Sequence, residues 1–135
     1  MHPRPDAPAL LDVARETLLD EETLAAVPDA VRYRLRMAAN AMAIAAREVR
    51  AGDADVERHL ALLGDLYGAD VVEAAGRTPA ERASAMQRRL ARDIRDGVLD
   101  GACAPGVRAL LLEQVRRRLA VSNPRHLRAS GLDEG

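Results

Sequence analysis

The chain has no lysine, no phenylalanine and no tryptophan, a single cysteine, and no long uninterrupted apolar run. With two tyrosines as its only aromatic residues, the core has to be filled by Ala, Leu and Val. That suits packed helices better than a sheet, which favours aromatic and β-branched side chains. The lone Cys103 excludes an internal disulfide and fits a reducing compartment. No stretch reaches the ~18 apolar residues a membrane-spanning helix needs. The start of the chain, MHPRPDAPALL, has neither the apolar run nor the cleavage pattern of a signal peptide. A cytoplasmic location is therefore expected.

All twenty basic residues are arginine, which we read as a nucleotide-composition bias of the source genome rather than as a binding signature. The net charge of −1 argues against a general nucleic-acid or anionic-membrane binder, since such proteins carry a basic excess.

The residue patterns of common chemistries are missing as well. There is no glycine-rich phosphate loop and no G-x-S-x-G nucleophile turn. His2, His59 and His126 are far apart, and none has a second His or a Glu at helical metal-ligand spacing. His59 reads as a partly exposed helix residue. Cys103 has no Cys-His signature around it, and Asp20, Glu21 and Glu22 read as the solvated end of an acidic helix. No catalytic residue, metal or cofactor is expected.

What is present is helical periodicity. The fold class expected is all-α, a single compact bundle of about five helices around a central Ala-rich helix at residues 30–51. One domain should span 6–127, with an irregular N-terminus at 1–5 and a flexible tail at 128–135. In the central segment VRYRLRMAANAMAIAAREVR, Val31, Leu35, Ala38, Met42, Ala45 and Val49 form one apolar face. Met37, Ala41 and Ile44 form a second, so packing on two sides is expected. The alanines allow close approach along Ala38, Ala39, Ala45 and Ala46.

Other boundaries follow from capping chemistry. Asp6 should cap a first helix with Leu10, Leu11, Ala14, Leu18 and Leu24 inward. Asp29 should cap the central helix, and Gly52 should end it. Val56, Leu60, Leu63 and Tyr67 predict a third helix after Asp53. Residues 68–77 allow a short helical turn or a loop. Thr78-Pro79-Ala80-Glu81 combines a cap, a first-turn Pro and the acidic partner of a capping box. It opens a fourth helix with Ala83, Met86, Leu90 and Ile94 inward, ending at Gly97. Residues 97–106 read as a loop, and Val107, Leu111, Val115 and Leu119 mark a fifth helix whose Arg116, Arg117 and Arg118 face the C-terminal dipole. Pro124 takes Asn123 out of that helix.

Charge links the first two helices. Residues 1–30 carry two arginines against seven acidic residues, a net −5, and residues 31–52 carry five arginines against Glu48, a net +4. The first helix should lie against the second.

One polar constellation stands out. Arg36, Asn40 and Arg47 project within about 40° of one another on an ideal helix. Two guanidinium groups flanking an amide suit a phosphate or carboxylate; the competing reading is that the stripe pairs with the acidic first helix or faces water. An amide in so apolar a helix needs a partner if buried, and Ser122, Asn123 and Arg125, folded back, would supply one and extend a basic pocket.

Taken together, RMAANAMAIAAREV and LAVSNPRHL resemble a bacterial family of small helical domains of unknown function. The LLDVARETL and IRDG segments occur in the same order, so the likeness covers residues 8–127. Members of that family occur beside, or fused after, aminoglycoside-phosphotransferase-like kinases, with acyl-CoA dehydrogenases often encoded nearby. The resemblance implies an accessory role, and it brings no active-site residues with it. This chain itself has no nucleotide-binding loop and no HxD-type catalytic loop. The function expected is a non-catalytic module binding a protein partner, such a kinase or a second copy of itself. The alternative is a domain holding a phosphate or acyl-CoA head group through Arg36, Asn40, Arg47 and Arg125.

Overall fold

A computed structural model of the chain describes residues 4–133, and among them there are helices and turns but no strands. The chain is all-α. His2 and the rest of residues 1–3 lie outside the described part, as do the last two residues of the expected tail. The elements are α1 (Ala7–Leu19), α2 (Glu21–Ala25), α3 (Asp29–Tyr67), α4 (Ala69–Glu73), α5 (Pro79–Arg95), α6 (Ala104–Ser122) and α7 (Pro124–Ala129), with a 3-10 turn at Gly101–Cys103. Where one domain is expected from sequence, the backbone divides into two units, one ending at Gly52 and one beginning at Asp53.

The division falls inside α3. Gly52 has φ 52° and ψ −149°, which no helix contains and which side-chain-bearing residues rarely adopt. Residues 29–51 and 53–67 are thus separate helical stretches meeting at one glycine, as its position in the sequence predicts. A Cβ at Gly52 would meet nothing within 4 Å, so any cost of adding one is purely conformational. Gly52→Ala is expected to lower stability by roughly 1–3 kcal/mol. Gly106→Ala, also with open space but without a positive φ, should change it by less than about 1 kcal/mol in either direction. Thermal melts of the two variants check the contrast.

In the first unit Asp6 caps as the sequence predicts. Asp29, the expected cap of the central helix, is instead the first residue of α3, whose first bonds the Pro28 carbonyl accepts. Leu24, expected on the first helix, lies on a separate α2. Asp6 accepts from the Ala9 amide at 2.9 Å and starts α1. Asp20 accepts from the Thr23 amide at 3.2 Å and starts α2, so this carboxylate has a structural task. Arg32 ties the α2–α3 turn, donating to the carbonyls of Leu24 (3.0 Å) and Val27 (3.3 Å) and pairing with Asp29 at 3.0 Å. Arg50 pairs with Asp12 across 38 residues, joining the acidic α1 to the basic stretch. That hydrogen bond raises the Arg50 pKa above its ordinary value.

The buried face of residues 29–51 differs from the expected one. Ala39 and Ala46 are buried, with Leu35, Met42 and Ala43 half-buried beside them, whereas Val31, Ala38 and Val49 are exposed. The seam thus follows the small residues, which permit the closest backbone approach. On α1, Leu10 is exposed while Leu11, Ala14 and Leu18 are half-buried.

The second unit holds the main core: Leu63 of α3, Val72 of α4, Met86 and Leu90 of α5, Leu99, and Val107 and Leu110 of α6. The capping box at the start of α5 is complete, with the Glu81 amide donating to Thr78 Oγ1 at 3.2 Å and the Glu81 carboxylate accepting from the Thr78 amide at 3.3 Å. Leu99, inside the segment expected to be loop, is buried as a member of this core. α6 begins at Ala104, two residues before the expected loop ends, because Pro105 needs no amide partner in a first turn.

Pro124 does interrupt the helix at Asn123, which has φ −151° and ψ 73°. The chain then restarts as α7, reaching Ala129, and Arg116 donates to the Leu132 carbonyl at 2.6 Å. The segment from 128 to 133 is therefore tied to α6 where a free tail is expected. The run Arg116, Arg117 and Arg118 differs in the same way: Arg116 and Arg117 make tertiary ties, and none of the three lies in the last turn of α6.

Candidate functional site

The residues singled out from sequence fall into the two units. Arg36 and Asn40 stand one turn apart on the exposed side of α3, and Arg47 lies two turns further on, half-buried. Because Asn40 is exposed, water satisfies its amide and no protein partner is required. Ser122, Asn123 and Arg125 belong to the second unit and are also exposed. Ser122 Oγ donates to the Arg118 carbonyl at 2.7 Å, and Asn123 Oδ1 accepts from the His126 amide at 3.2 Å, capping α7. The Asn123 side chain is thus engaged locally.

Beside Arg36 and Asn40 runs the flank of α3 that was expected to be covered. Met37 is 53% exposed and Tyr33, one turn earlier, 65%. Ala41 is exposed and Ile44 half-buried. The expectation of a helix clasped along two sides fails here. Within the first unit only α1 and the single-turn α2 are available to cover it, too little surface for both flanks. The result is an apolar ridge of Tyr33, Met37, Ala41 and Ile44, with Arg36 and Asn40 along one edge and Arg34 along the other.

The densest buried polar chemistry lies in the second unit. His59 is 8% exposed, and its Nε2 is 2.9 Å from Gln87 Oε1. Gln87 and Gln114 exchange two hydrogen bonds, each 3.3 Å, between α5 and α6. With the carbonyl oxygen of Gln87 facing the ring, Nε2 carries the proton and donates, which leaves Nδ1 as a buried acceptor without a protein partner. One helical turn from His59, Asp55 pairs with Arg117 of α6 at 3.5 Å. Burial lowers the His59 pKa below the usual imidazole value; the Gln87 bond opposes this, and the charges of Arg117 and Arg118 add to it. At neutral pH the ring is neutral.

A third cluster stiffens the other side of α5. Tyr67 donates to Asp93 Oδ2 at 2.7 Å, Arg89 pairs with the same oxygen at 3.5 Å, and the Arg89 guanidinium stands 4.6 Å over the Tyr67 ring. Burial, followed by the bond to Asp93, pushes the tyrosine pKa up to about 12. Among the described residues, no group of His, Cys, Asp or Glu is placed to hold a metal ion. Nor is any helix long and apolar enough to cross a membrane. Cys103 is exposed, in the 3-10 turn.

Comparison with known sequences places the chain. Residues 23–126, well over half of it, match the family described as Domain of unknown function (DUF6285). The chain belongs to the DUF6285 family. No curated protein and no solved structure matches it. The DUF6285 match runs from α2 into α7, so it includes the exposed ridge of α3 and the His59 cluster and leaves α1 outside.

Sequence reasoning missed the His59 cluster, which this DUF6285 member builds from residues that look unremarkable singly. A signal was available. His59 stands four residues before Leu63, Gln87 three before Leu90, and Gln114 four after Leu110. Each therefore occupies the inward side of its helix at core spacing.

Proposed function

We propose that the chain is a non-catalytic helical accessory module that binds a protein partner through the open flank of α3, and that the partner is an aminoglycoside-phosphotransferase-like kinase linked to acyl-CoA metabolism. The observation that carries the reading is the exposure of Tyr33 and Met37 on a helix whose opposite side buries Ala39 and Ala46. Covering a large apolar side chain contributes about 1.5–3 kcal/mol, and tyrosine and methionine are enriched where proteins meet. Arg34 and Arg36 on the two edges select a partner surface with an apolar centre and an acidic rim. The kinase is suggested by the setting that the resemblance implies.

The open position of Arg36 and Asn40 suits the rim of such an interface better than a small-anion site, because exposed guanidinium groups bind a phosphate in competition with water and salt. The test is co-purification of chain and kinase at micromolar concentration. Complex formation is expected, and Met37→Asp should weaken it by about tenfold or more while leaving the circular dichroism spectrum unchanged, since residue 37 is exposed. Clean separation of the wild-type proteins on a sizing column, with no effect on kinase turnover, would count against the reading. So would a melting temperature that rises with phosphorylated or CoA compounds and falls back in Arg36→Gln.

A further inference from the structure

Helix α6 is inverted relative to its composition. Its inward side carries Val107 and Leu110, and then Gln114 and Arg117, which reach the His59 cluster and Asp55. Its outward side carries Leu111, Leu112 and Val115, exposed by 38%, 38% and 45%. Ordinary amphipathic helices do the opposite. The polar pair faces inward because its partners are there, and the three apolar side chains are left in water as a consequence.

Arg108 and Arg118 bracket this apolar group. Both are exposed, and they share its face, about 15 Å apart along the axis. Neither makes an ion pair among the described residues. The carboxylate of Glu113 points to another side of α6 and is turned to Arg116 at 3.9 Å. The surface is thus an apolar strip with an uncompensated positive charge at each end.

We propose that this face of α6 is a docking surface for an amphipathic helix of a partner protein, one whose apolar side chains are flanked by carboxylates about three turns apart. The charges choose the occupant. A second copy pairing antiparallel would set Arg108 against Arg118, and a parallel pair would set each arginine against its own kind, so self-pairing is penalised in both directions. A nucleic-acid backbone offers phosphates but nothing for Leu111, Leu112 and Val115 to bury against. An acidic amphipathic helix satisfies both parts at once, and the equal charges at the two ends admit it in either direction. This surface lies in the second unit and does not depend on the α3 ridge.

The experiment is an NMR titration of the isotopically labelled full chain with two synthetic helical peptides. One carries Glu, Leu, Leu and Glu at the spacing of residues 108, 111, 115 and 118, and the other has Lys in place of both Glu. The Glu peptide is expected to shift amides of residues 108–119 and to bind about tenfold or more tightly than the Lys peptide. In Arg108→Glu/Arg118→Glu the preference should reverse, and in Val115→Asp binding should be lost with the helical spectrum intact. Equal binding of the two peptides, shifts centred on other elements, or no shift at millimolar peptide would each overturn the proposal. Shifts of α6 amides that grow with protein concentration alone would also overturn it, by assigning the face to a second copy.

Discussion

Replacing Leu63 by alanine is expected to remove about 3 kcal/mol from the unfolding free energy, within a range of roughly 2–5 kcal/mol for buried leucines. Leu63 has no exposed surface, and it is the fully buried residue that α3 adds to a core otherwise supplied by α4, α5, α6 and Leu99, with Leu60, Leu62, Leu66 and Tyr67 of α3 partly buried against it. Truncation there removes transfer energy and leaves a cavity that helices on several sides cannot close by one local shift. Leu63→Met, close in volume, should cost less than about 1.5 kcal/mol. The chain has no tryptophan, so urea unfolding is followed by circular dichroism. A loss below about 1 kcal/mol for Leu63→Ala would place the side chain outside a packed core.

The second large effect is in the polar cluster. Gln87→Leu is expected to cost about 2–3 kcal/mol, because the His59 ring N–H and both polar atoms of the Gln114 amide lose their partners at once. Adding Gln114→Leu should cost much less than it does alone, since the group it removes is already unpaired. Strictly additive losses would show that the three side chains do not act as one network.

The same cluster sets a dependence on pH. The folded-state pKa of His59 lies below the unfolded value of about 6.5. Below that value the unfolded chain binds the proton first, so the stability from the neutral ring is fully present above about pH 6.5 and is lost as pH falls through the depressed value. Between roughly pH 5 and 7 ordinary carboxylates contribute little slope. Urea midpoints in that window should fall with acidification for the wild type and stay level in His59→Leu.

Much of this architecture is legible in the sequence because it rests on local chemistry. Asp6 and the Thr78–Glu81 box cap helices wherever they occur, a Pro at the first turn starts one, and Gly52 breaks one. The core residues Leu63, Met86 and Leu90 follow from periodicity alone. α6 is not legible in this way. Its sequence offers Val107, Leu111, Val115 and Leu119 as an apolar stripe of correct spacing, yet the helix is rotated so that Gln114 and Arg117 face inward. Periodicity weighs hydrophobicity and cannot register that a glutamine and an arginine have partners on other helices. Residues 29–51 fail for a related reason: the pattern shows two apolar flanks, but whether a flank is covered depends on how much helix lies nearby. The polar stripe of Arg36, Asn40 and Arg47 was visible, and the exposure of its first two members was not, because alanine-rich surroundings read as interior whether or not they are.

The glycine at position 52 connects two helical stretches with no loop between them. A joint of one residue leaves only two soft dihedrals, the φ and ψ of Gly52, between the end of one stretch and the start of the next. A side chain placed there would narrow that freedom without meeting any other atom within 4 Å.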